Sequence, residues 1–145
     1  MEIRLTIPGP PMGKQVARVF PIKNRAGRIM GYRAANPSKT AKVMGDIRRI
    51  FMAAHPSFAP MIGLLELEMK AYCPIPKSMP KNLRELAEEE KLRQGKRPDL
   101  SNQIKLFEDA GNGVIFQDDA RISRIVAEKW YSPRPRLEIT VRALT

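Results

Sequence analysis

Two stretches of this 145-residue chain, "EIRLTI" near the amino terminus and "LLELEMKAYCPI" in the middle, alternate apolar and polar residues. A period of two commits such segments to strands with one buried face. In the second stretch Leu65, Leu67, Met69 and Ala71 share that face. Two further strands are expected in "RISRIVAEKWY" and "RLEITVRAL", separated by "SPRP". "PGPPMGK" cannot enter a sheet interior and reads as a rigid turn. "VARVFPIKNRAGRIMGYRAA" reads as two extended segments around a turn at residues 24–27, and "VIF" as a short strand after an "NG" turn. Helical spacing appears in between. Val43, Ile47, Ile50, Phe51 and Ala54 recur at helix period, with Ser38 as the expected N-cap. A charged helix is expected from near Pro80, with Leu83 and Leu86 as its apolar stripe and Glu88, Glu89 and Glu90 as a solvated face. "NQIKLFEDA" reads as a short helix. Strands and helices mixed in this way predict an α+β fold, a single mixed β-sheet layer with helices packed on it, in one domain spanning residues 1–145.

Composition narrows the classes of function. No apolar run approaches the ~20 residues of a membrane helix, and the amino terminus has no basic region followed by an apolar core. Cys73 has no second cysteine to pair with, and it lies in an apolar run as a small buried hydrophobe. With His55 as the only histidine, at the end of a helix, a Cys/His zinc site is excluded. These features lead us to expect a cytoplasmic protein. Charge is the strong signal: 26 Lys and Arg stand against 15 Asp and Glu, for a net charge of +11. Between Ile3 and Gly45 there is no acid, yet there are nine basic residues, with Phe20 and Tyr32 among them. Lys14, Arg18, Lys23, Arg25, Arg28 and Arg33 are therefore candidate DNA-binding residues, since cations bind phosphates and rings stack on unpaired bases. The alternative is a solvated basic face with two core aromatics. A membrane-surface helix fits less well, because the stretch is rich in Pro and Gly.

Against that background, "RPDLSNQIKLFEDAGNGVIFQDDARIS" holds five of the fifteen acids: Asp99, Glu108, Asp109, Asp118 and Asp119. Leu100, Ile104 and Phe107 would form one narrow apolar stripe of its helix. At ~100° per residue, Asn102, Lys105 and Asp109 fall within about 60° of one another on the opposite face. Asp99 stands just before the first turn, where it can cap the helix, and a returning strand can place Asp119 beside it. Carboxylates converging with one lysine suit a hard cation such as Mg²⁺, which takes oxygen ligands and keeps several waters. Lys105 would then stabilise charge on a phosphate, or orient a water. The plainer alternative leaves Asp99 as a cap and Asp118–Asp119 as a turn. A nucleotide-binding P-loop is excluded by the spacing of "PGPPMGK", which has no Ser or Thr after Lys14.

The stretch resembles the signature of the RusA family of Holliday-junction resolvases, endonucleases common in bacterial prophages. Arg97-Pro98-Asp99, Asn102, Lys105, Asp109-Ala110 and Asp118-Asp119 match its pattern, and the flanking "IPGPP" and "RLEITV" agree. A charged helical segment at about 77–94 lies outside the shortest members. The resemblance implies a RusA-like, dimeric fold and a cytoplasmic enzyme, bacterial or phage-encoded, acting in DNA recombination and repair. It would nick four-way junctions in symmetric pairs with Mg²⁺ or Mn²⁺, without a small-molecule cofactor or a membrane partner. Carried over by position, Asp99 and Asp119 are metal-binding catalytic acids, Lys105 is the essential lysine, and Asp109 and Asp118 are further acidic positions of the metal site. Where many members carry a second acid, this chain has Ser101, whose hydroxyl adds no charge; Asp109 faces the same way and could substitute. That departure opens a rival reading, a junction- or DNA-binding protein with a weakened metal site. Two others are a broader nuclease of flaps and forks, and a structural or interaction protein with its acids as a solvated face.

Overall fold

The computed structural model describes residues 1–15, 18–35 and 37–144. Its main sheet has four strands: β1 (Glu2–Pro8), β4 (Leu65–Pro74), β5 (Ile122–Ser132) and β6 (Arg136–Ala143). Their order is β1-β6-β4-β5. β6 is antiparallel to both β1 and β4, while β5 runs parallel to β4, so the sheet is mixed as expected. In register, Ile3, Val141 and Leu67 form one row of side chains, and Leu5, Ile139 and Met69 form the next. All six are buried, and they supply the floor of the core.

Two helices cover that floor. In α1 (Ser38–Ala54) the residues Thr40, Met44, Ile47 and Phe51 are buried, whereas Ala54 is exposed. Ser38 is the first helical residue and does not cap; Pro37 holds the N-cap position, and no side chain bonds there. In α3 (Leu100–Gly111) the buried face is Gln103, Leu106, Phe107, Ala110 and Gly111. The expected stripe is thus rotated: Phe107 is at its centre, and Leu100 and Ile104 are only half-buried at its margin. Arg48 of α1 joins the two helices by donating to the carbonyls of Ala110 at 3.0 Å and Asp109 at 3.3 Å. These are carbonyls of the last α3 turn, where a cation is favoured.

The other face of the sheet is charged. Glu2, Arg142, Glu66 and Arg124 lie in register across all four strands, alternating in sign. Arg142 donates to Glu2 at 2.6 Å and to Glu66 at 2.8 Å, and Arg124 pairs with Glu66. These arginines hold the Glu66 carboxyl below its ordinary value.

α2 (Lys81–Glu88) follows Pro80 as expected, but its contact is Ala87, which is fully buried. Leu83 and Leu86 are exposed, so the stripe expected there faces outward. Glu88 and Glu89 are exposed as expected, but Glu90 is half-buried: it turns back to bond Arg136 at 3.0 Å, and that guanidinium lies over the Tyr72 ring. The chain beyond α2 then lies along β5, where the Gln94 amide donates to the Lys129 carbonyl and the Tyr131 amide to the Leu92 carbonyl. "VIF" is not a strand. Val114 to Phe116 instead form a turn closed on the Gly111 carbonyl, with Ile115 and Phe116 buried.

The two extended segments of the basic stretch pair as β2 (Arg18–Lys23) and β3 (Ile29–Ala35), a separate two-stranded sheet in addition to the expected layer. Among the described residues, no helix is long and apolar enough to cross a membrane.

Candidate functional site

Asp99 fills the N-cap position of α3, but its carboxylate makes no capping bond. The loop that carries it is fixed from three directions. Gln103 and Lys129 donate to the Pro98 carbonyl at 3.0 and 3.4 Å, and Gln94 donates to the Arg97 carbonyl at 3.3 Å. The Arg97–Pro98 peptide is cis.

One and a half turns into α3, Lys105 and Asp109 face each other at i, i+4, with Nζ 3.6 Å from the carboxylate. The same ammonium lies 4.0 Å from Asp119. Asp119 arrives from a separate element, the 3₁₀ turn Asp119–Arg121. Its position follows from Asn112 just past α3, whose side-chain oxygen accepts from the Asp119 amide at 2.8 Å. Asp118 caps the 3₁₀ turn, its carboxylate accepting from the Ala120 amide at 2.9 Å.

A third element enters from the amino-terminal turn. Gly13 passes so close to α3 that a Cβ there would lie 3.0 Å from Asn102 Cβ and 3.2 Å from Pro98 Cβ. The next amide, Lys14, donates to the Asn102 carbonyl at 3.0 Å. The Lys14 ammonium then reaches Asp109 at 2.5 Å. Lys14, read from sequence as one of several backbone-binding cations, is therefore part of the acidic cluster. The same turn and the loop before α3 line an open groove of about 560 Å³, with Lys14, Arg97, Asp99 and Asn102 on its walls. Ser101 and Asn102 are both exposed.

The structure thus brings Asp109, Asp119, Lys105 and Lys14 together. Asp99 lies at the groove and shares no ion pair with them, and Asp118 is engaged in its cap. Among the described residues, no three His, Cys, Asp or Glu side chains gather tightly enough to hold a metal unaided. Glu108, absent from the sequence-derived site, belongs to its electrostatics. Burial and then the charge of Asp119 raise its carboxyl above the ordinary value, while Lys105 opposes them. Its i−1 position to Asp109 was the available signal. Arg18, Lys23, Arg25, Arg28 and Arg33 lie on the β2–β3 ribbon and its turn.

In this mixed-sheet α+β fold, carboxylates and lysines from separate elements meet beside a groove that carries Lys14 and Arg97. Residues 8–142, nearly the whole chain, match the family described as endodeoxyribonuclease RusA, and the chain belongs to that family. It is also similar to "Uncharacterized protein YqaN" of Bacillus subtilis (strain 168), at 35% identity over 85 residues. That match spans 57% of this chain and 60% of the relative.

Proposed function

We propose that this chain is a Mg²⁺-dependent, structure-selective DNA endonuclease that resolves four-way (Holliday) junctions by paired symmetric nicks. The observation that carries the reading is the Lys105 ammonium between two carboxylates from separate elements, Asp109 at 3.6 Å and Asp119 at 4.0 Å. Both carboxylates lie near a single cation, and Mg²⁺ is commonly bound by one or two carboxylates with waters and phosphate oxygens completing its shell. The donor set therefore fits Mg²⁺, or Mn²⁺ in its place. Bound there, the ion would neutralise charge on the scissile phosphate and help generate hydroxide from water.

The chain's own residues supply the rest. Asp109 and Asp119 would hold the ion, with Asp99 on the groove wall and Asp118 next in sequence as the further acids of the site. Lys105 and Lys14 would neutralise the phosphate and stabilise charge developing on its oxygens. Ser101, exposed at the start of α3, adds no charge to the site. Two nicks need two such sites, and a two-fold symmetric homodimer would supply them on a junction that can itself be two-fold symmetric.

A labelled four-way junction, a linear duplex and a flap incubated with and without Mg²⁺ test the reading. Paired nicks in the junction alone, and only with the metal, are expected. Junction binding without nicking in either Mg²⁺ or Mn²⁺ would leave a DNA-binding protein. Equal cutting of flap or duplex would mean a broader nuclease. Sedimentation should give a dimer, and a monomer would remove the paired nicks.

A further inference from the structure

We propose that the β2–β3 ribbon is a base-stacking arm, which uses Tyr32 and Phe20 to contact unstacked bases at the branch point while its cations hold the flanking phosphates. The inference deepens the nuclease reading and rests on it for the branched substrate. Every residue of β2 is exposed, and β3 is exposed except at half-buried Gly31 and Ala35. Both faces of the ribbon therefore meet solvent, and a lone two-stranded hairpin is at best marginally stable in water. Yet the side chains it exposes are large and apolar. Tyr32 is 66% exposed, Met30 66%, Val19 65% and Phe20 41%. An apolar surface of this kind on a ribbon marks an interaction site.

Charge identifies the partner. From Arg18 to Ala35 there are five cations and no acid. A second copy of the ribbon would set like charges against each other, whereas a nucleic acid supplies the complement. Register then assigns the rings. Pro21 pairs with Tyr32 and Phe20 with Arg33, so the two aromatic side chains point to opposite faces. The Arg33 guanidinium lies 5.8 Å from the Phe20 ring centroid, which leaves a cation beside that ring for an adjacent phosphate.

The turn holds its own shape. The Asn24 side-chain oxygen accepts from the Ala26 amide at 3.0 Å and from the Arg28 amide at 2.9 Å, and Gly27 adopts φ +79°. Arg25 and Arg28 are thereby set at the tip, ahead of the rings. Stacking by aromatic side chains is tolerant of sequence and suits bases freed at a crossover.

The test uses the full chain, a four-way junction with 2-aminopurine at its branch point, a duplex of the same sequence and a 2-aminopurine single strand, all in EDTA. The Phe20→Ala/Tyr32→Ala variant should lose about fivefold or more in junction affinity. Its duplex affinity should stay within about twofold, its salt slope should be unchanged, and it should no longer alter 2-aminopurine fluorescence. Arg25→Ala/Arg28→Ala should weaken both substrates and flatten the salt slope by up to about two. Unchanged junction affinity, or equal loss on junction and duplex, would overturn the arm. So would a variant that unfolds, since the rings would then belong to the core, or one whose only defect is lost self-association. A wild-type protein without junction preference that still alters the 2-aminopurine single strand would sink the resolvase reading and leave the stacking arm standing.

Discussion

Gly13 is the narrowest point between the amino-terminal turn and the site, and replacing it with valine tests how Lys14 is positioned. The Cβ alone would sit 3.0 Å from Asn102 Cβ and 3.2 Å from Pro98 Cβ, tighter than ordinary van der Waals contact. Valine adds two methyl groups to that gap, and both neighbours are held: Asn102 within α3, and Pro98 by Gln103 and Lys129. The turn must lift away, which breaks the 3.0 Å bond from the Lys14 amide to the Asn102 carbonyl. Forced overpacking of this kind costs roughly 1–3 kcal/mol. For a chain of this size that corresponds to a fall in Tm of about 2–12 °C. Lifting the turn also withdraws the Lys14 ammonium from Asp109, so Mg²⁺-dependent nicking should fall with stability. Lys14→Ala separates the two effects, because it should keep the wild-type Tm within a few degrees while losing nicking. Thermal melting and single-turnover nicking of a junction measure both. A Gly13→Val variant with Tm within about 1 °C and a nicking rate within about twofold of wild type would refute the positioning argument.

Lys105→Ala should lose nicking far more than junction binding, and a rate within about twofold of wild type, or ~0.4 kcal/mol, would make it an ordinary surface lysine. Gly111→Ala should destabilise by about 1–3 kcal/mol, because its Cβ would lie 2.7 Å from the Phe116 ring; an unchanged melting curve would contradict this. Cys73 is buried, and burial raises its thiol above the ordinary value of 9.0, so iodoacetamide at pH 8 should label it no faster than the chain unfolds. By the same sign the buried thiol becomes a liability only as pH rises past that ordinary value, where the unfolded chain ionises first.

The strands were legible because the period-two pattern of Leu65 to Ala71 and of Ile3 to Ile7 coincides with one buried sheet face. Helix faces were less so. Gln103 lies on the buried side of α3 because its amide bonds the Pro98 carbonyl, and a polar residue in that role is invisible to a hydrophobic count. "VIF" carries strand propensity, yet Ile115 and Phe116 are buried by a turn wound on the Gly111 carbonyl, a tertiary choice that overrides the local one. Glu90 failed as a solvated residue for a similar reason, since Arg136 from β6 captures it across the fold. In the site, the shared face of Lys105 and Asp109 follows from helix period alone. The approach of Asp119 depends on the Asn112 side chain, and that of Lys14 on the missing Cβ of Gly13. Neither is a pattern in one dimension.

Whether the cluster around Lys105 cuts DNA is tested most directly by Asp119→Asn. The change removes a carboxylate charge 4.0 Å from Lys105 and alters the side-chain volume little. Single-turnover nicking of a labelled four-way junction in Mg²⁺, beside junction affinity in EDTA, should show cutting abolished with binding equal to wild type or tighter. Wild-type cutting rates in the Asp119→Asn protein would remove Asp119, and with it this cluster, from the chemistry.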